Sequence, residues 1–123
     1  MADGAVTVYP TELLPDGFAY PAEYLEFASA PRTPLYPWWL IDAESEAGRL
    51  MHRITVGSSK ALVPFAKTDL YDDIACFDAE TNTQNPKVVM ICSTPGRSYG
   101  FRDFATWRSH AERDASEFRA GTS

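Results

Sequence analysis

The sequence predicts an α+β domain: a central, mainly antiparallel sheet of about four to five strands flanked by helices from both ends of the chain. Three observations predict it. Between Trp38 and Ser93 the apolar residues fall into runs of strand length, "WWLIDAE", "KALVPFAK", "DIACFD" and "KVVMICS", with polar or acidic stretches between most of them. The closing segment, "FRDFATWRSHAERDASEFR", instead repeats its apolar residues every three or four positions, the spacing of a helix with one buried stripe. A chain of 123 residues with 45% hydrophobic and 23% charged content can bury a single core, and no repeat or linker divides it, so residues 1–123 read as one domain.

The first twenty residues are rich in turn formers, punctuated by Pro10, Pro15 and Gly17. Pro21 is placed to open a short helix, "PAEYLEFAS", with Tyr24, Leu25 and Phe27 turned inward and Glu23 and Glu26 in water. "APRTPLYP" cannot continue that helix, because Pro31, Pro34 and Pro37 each lack a backbone donor, and it reads as an extended connection. In the next strand Trp38 and Trp39 must face opposite sides. Helices over both faces would hide the pair, and an exposed tryptophan would be a binding anchor. Ala47, Leu50, Met51 and Ile54 have helical spacing, although "RITV" could also begin a strand.

Pro64 cannot donate to a ladder, so its strand is either an edge or bulged. In "DIACFD", Ile74 and Cys76 share one face, Ala75 and Phe77 the other. "AETNTQNP" is a polar loop, "KVVMICS" suits a central strand, and "TPGRSYG" is a second loop. The final helix carries Phe101, Phe104, Trp107, Ala111, Ala115 and Phe118 on its inner stripe.

The net charge is −6, and it is uneven. Residues 42–80 hold Asp42, Glu44, Glu46, Asp69, Asp72, Asp73, Asp78 and Glu80 against Arg49, Arg53, Lys60 and Lys67. Such a surface repels nucleic acid and anionic lipid and attracts a basic protein, although plain solubility also accounts for it. No apolar run is long enough for a membrane helix and no signal-peptide pattern opens the chain, so the expected location is the cytoplasm. Cys76 and Cys92 fall in strand-like runs and read as buried, unpaired thiols.

Little in the sequence points to chemistry. His52 and His110 are read as lacking a Cys, Asp or second His at ligand spacing in their own elements, which argues against zinc. There is no nucleophile elbow, P-loop or GxGxxG, and "DLYDD" lacks the pattern of a calcium loop. No cofactor, metal or catalytic residue is expected. A small carboxylate-dependent hydrolase or metal enzyme built on Asp69, Asp72, Asp73 and His52 is the distant alternative. If the protein works by docking, the candidate partner-binding residues are Asp42, Glu44 and Glu46 after the tryptophan strand, with Asp69, Tyr71, Asp72 and Asp73 on the acidic turn. Tyr71 amid the acids would be the anchor, since an ordered Tyr gives contact area at low entropic cost.

One ordered set of residues resembles the SUKH superfamily, which includes fungal cell-wall synthesis regulators and bacterial immunity proteins. It comprises Pro64–Phe65–Ala66, an acidic loop, Asp73 to Phe77–Asp78, Val88–Val89, and a helix opened by Phe101 with Phe104 and Trp107. The resemblance covers residues 61–110, "YPWWLIDAE" is similar to the strand that precedes this block, and "LLPDGFAYPAEYLEF" departs from the usual N-terminal pattern. It implies an α+β fold, no enzymatic activity and a role in binding. In the immunity branch the partner is a toxin domain, often a nuclease, which is basic in order to grip phosphates. The expected function is therefore neutralisation of a cognate bacterial toxin, with an interaction module in a regulatory complex as the alternative.

Overall fold

The computed structural model describes residues 6–29, 35–56, 61–69, 72–80 and 85–121. Its elements run α1 (Ala22–Ser29), β1 (Trp38–Leu40), α2 (Glu46–Val56), β2 (Leu62–Thr68), β3 (Ile74–Asp78), β4 (Val88–Ile91), β5 (Gly100–Phe101) and α3 (Phe104–Gly121), after a single 3-10 turn at Thr11–Leu13. The five strands form one antiparallel sheet whose spatial order repeats the chain order, with β1 and β5 as its edges. The predicted α+β architecture is the one observed. No helix among the described residues is long and apolar enough to cross a membrane.

Pro64 marks a bulge inside the sheet: the register of β2 against β3 shifts between Pro64 and Ala66. Of the two sequence alternatives this is the bulge, and β2 is an internal strand. It can be, because β1 pairs only with residues 66–68 and asks nothing of the proline nitrogen. The last strand was missed. Phe101 lies in β5, opposite Val88, and not on the first turn of the helix. Gly100 permits that pairing, since a Cβ there would sit 2.6 Å from the carbonyl oxygen of Val88.

An aromatic cluster forms between the sheet and the terminal helices. Phe65 and Phe77 stack at 4.2 Å, Tyr24 of α1 meets Phe77 edge-on at 5.4 Å, and Trp107 of α3 meets Phe65 at 4.9 Å and Trp38 at 5.4 Å. Phe104, Trp107, Ala111 and Ala115 are the buried stripe of α3, and half-buried Phe118 ends it against Tyr36. Asp103 caps the helix, its Oδ1 accepting from the Thr106 amide at 2.9 Å and the Thr106 hydroxyl at 2.8 Å.

Three inward assignments change. Leu25 is 42% exposed, and α1 buries Tyr24, Phe27 and Ala28 instead. On α2, which packs along β2, Leu50 and Ile54 are exposed, whereas Gly48, Met51 and Thr55 are buried. The helix is rotated because Gly48 rests on the backbone of Asp42, where any Cβ would overlap the carbonyl, and because the Tyr9 hydroxyl donates to the Gly48 carbonyl. Trp38 is buried and Trp39 only half-buried.

Candidate functional site

The acidic turn separates its aspartates by strand alternation. The Thr68 amide donates to the Asp73 carbonyl at 3.0 Å and so closes the β2–β3 hairpin. Asp72 takes a left-handed conformation (φ 57°), which Asp tolerates, and points into solvent, where it accepts from Lys67 Nζ at 2.7 Å. Asp73 shares the phase of Ala75 and Phe77 and points inward. It is fully buried, so the expectation that it belongs to an exposed docking turn is corrected. Its Oδ2 accepts from Arg97 Nε at 3.0 Å and from the Tyr99 hydroxyl at 2.7 Å. Its Oδ1 is buried with no hydrogen-bond partner among the described residues.

Burial of a carboxylate is tolerated only with compensating charge and donors, and the segment after β4 supplies both. Burial, and then the hydrogen bond to Asp73, push the Tyr99 phenol above its usual range, opposed in part by Arg97. Cys92 lies one residue beyond β4, in the connection rather than in the strand, and is half-buried. Burial and the nearby Asp73 carboxylate push its thiol up, with Arg97 opposing, so it is poorly suited to act as a nucleophile. Cys76 is buried, and desolvation raises its thiol strongly. Both cysteines are unpaired.

Helix α3 supplies the facing wall. His110 Nε2 lies 3.1 Å from Asp114 Oδ2, one turn on, and the same oxygen accepts from Trp38 Nε1 at 2.8 Å. His110 therefore does have an aspartate at i+4 in its own element, contrary to the sequence reading. Among the described residues no group of three or more His, Cys, Asp and Glu could hold a metal ion. Between this wall and the Asp73 cluster lies a cleft of about 390 Å³, lined by Trp38, Thr68, Arg97, Tyr99, His110, Asp114 and Glu117.

Of the seven residues expected to bind a partner, the six that are described do not share one place. Asp69 and Asp72 are exposed and meet Trp39 and Lys67, on the sheet face opposite Trp38 and Thr68, whereas Asp73 is buried behind Arg97 and Tyr99 of the cleft wall. Tyr71 lies outside the described residues. The Asp69 amide donates to the Pro37 carbonyl, whereas Asp42 follows Ile41, whose amide donates to the Phe65 carbonyl, so Asp42 lies beyond the other end of the β1–β2 ladder. There Asp42 Oδ1 accepts from the Glu44 amide at 2.9 Å, and Glu44 and Glu46 are exposed. Trp39 belongs to the first group: its Nε1 donates to Asp69 Oδ1 at 3.0 Å, with Lys67 Nζ 5.8 Å from the ring centre. His52 is remote from the aspartates in its contacts, meeting the Leu13 carbonyl and the Tyr9 ring.

Arg97, Tyr99, Asp114 and Glu117 were not singled out from the sequence. The signal available was helical spacing: His110, Asp114 and Glu117 stand at i, i+4 and i+7. No protein-family model matches the chain, and neither a curated protein nor a solved structure matches it significantly.

Proposed function

We propose that this chain is a non-catalytic binding protein that occupies the basic surface of a protein partner, acting as a SUKH-type immunity protein toward a cognate bacterial toxin in the cytoplasm. One observation carries the reading. On one face of the sheet, by the β2–β3 turn, exposed Asp69 and Asp72 flank half-buried Trp39, which Asp69 holds and Lys67 overlies, and on the other face half-buried Asp114 and exposed Glu117 of α3 line a cleft. Carboxylates around an aromatic anchor suit a basic interface, and the charge of −6 favours rapid encounter with one. The ordered SUKH-like motif supports the same role. Its aromatic members, Phe65, Phe77, Phe104 and Trp107, meet in the core, which assigns them to the scaffold and leaves the surface to vary with the partner.

The test is binding to the toxin encoded beside this gene, measured by calorimetry and stopped flow at low and high salt. A stoichiometric complex is expected, with association slowing about tenfold or more as salt screens the two surfaces. Asp69→Lys with Glu117→Lys is expected to weaken it at least about tenfold, and Glu44→Lys with Glu46→Lys, of equal charge change, to leave it within about twofold. The proposal fails if cells stay equally sensitive to the toxin with or without this protein.

A further inference from the structure

We infer that the cleft between α3 and the ends of β1, β2 and β3 receives one cationic side chain, an arginine or lysine, from that basic partner. The inference rests on the binding function proposed above and names the contact at its centre. Its groups come from every neighbouring element: Trp38 from β1, Thr68 from β2, Arg97 and Tyr99 from the segment before β5, and His110, Asp114 and Glu117 from α3. Arg97 is balanced by Asp73 at 3.0 Å, so Asp114, whose neighbours are Trp38 and His110, and exposed Glu117 give the cleft an excess of negative charge. They stand at i and i+3, so both carboxylates lie on the same side of α3. Asp114 is preset for the task, because Trp38 and His110 hold it from two sides, both through Oδ2.

A second observation points the same way. Asp73 is fully buried, its Oδ2 is held by two side chains that line the cleft, and its Oδ1 has no partner among the described residues. Asp73 thus places a buried negative charge directly behind Arg97 and Tyr99, which offsets the one Arg cation that lines the cleft. The volume, about 390 Å³, is that of a small-ligand pocket and admits one long side chain but no element of structure. Trp38 and Tyr99 offer ring surface to an alkyl stem or a guanidinium plane.

The full-length protein, titrated with N-acetyl-arginine methylamide and N-acetyl-lysine methylamide, tests this by NMR of the Trp38 indole and His110 imidazole signals. Saturable shifts at these two residues are expected in the millimolar range, and the uncharged citrulline analogue is expected to give none. Glu117→Gln and Asp114→Asn should each weaken the titration by about threefold or more, and Glu117→Gln alters only an exposed position. Equal shifts with citrulline, or unchanged titration in Glu117→Gln, would overturn the inference. If the cations fail while the toxin still binds, the cleft assignment is wrong and the binding function stands. If the cations bind while no basic protein partner does, the function is wrong and a partner's side chain is not the occupant.

Discussion

Asp72 and Asp73 are chemically identical neighbours with opposite fates, one in water and one fully buried. The difference was legible. Alternation in "DIACFD" puts Asp73 in phase with Ala75 and Phe77, and only its assignment to a turn hid this. What the sequence could not show is the partner, because Arg97 and Tyr99 arrive from a segment without periodicity. The pairing makes a directional prediction. Arg97→Met, which leaves a buried carboxylate without its cation, is expected to lower the midpoint of urea unfolding. Asp73→Asn, which removes the charge and keeps an acceptor for Tyr99, should lower it less; the opposite order would remove the ion pair from the stability account. At high pH the relevant group is Tyr20, whose phenol burial pushes up to about 12, against the Tyr9 amide bond that lowers it. The fold favours its neutral form, so this contribution is complete below pH 10.0 and is lost as pH rises through about 12. Tyrosinate absorbance recorded alongside unfolding checks it.

Among the elements, α3 was the clearest in sequence and α2 the most misread. Period 3.6 established α2 as a helix but not its rotation, which is decided by the contact of Gly48 with the 42–43 backbone, a tertiary fact. Leu50→Glu with Ile54→Glu is therefore expected to change stability by no more than about 0.5 kcal/mol, against about 2–5 kcal/mol for Met51→Ala. Thermal melts of the variants decide between the two faces. At the start of α3, the Thr106 amide and then its hydroxyl hold the Asp103 carboxyl below its ordinary value of 3.8. This cap's charge-dependent contribution is present above pH 3.8 and disappears as pH falls through the lower folded value. Asp103→Ala is expected to cost about 1 kcal/mol at neutral pH and nothing once both proteins are protonated. β5 was illegible for a simple reason: two residues are too few to display a period of two.

For the molecule as a whole, the sheet, its flanking helices and the aromatic centre followed from apolar spacing, whereas the acidic surface did not. Charge counting treats residues 42–80 as one patch, but the β1–β2 ladder separates Asp42, Glu44 and Glu46 from Asp69 and Asp72 at its opposite ends. A linear sequence lists charges without saying which strand end they reach. The strand order that places them has a kinetic consequence. Since no connection crosses the sheet, pairing can spread from one hairpin to the next at small loop-closure cost, and the contact between α1 and α3 is what joins the two ends of the chain. Sheet ellipticity in a refolding experiment should therefore rise before the fluorescence of Trp107 reports that the aromatic centre has been sealed.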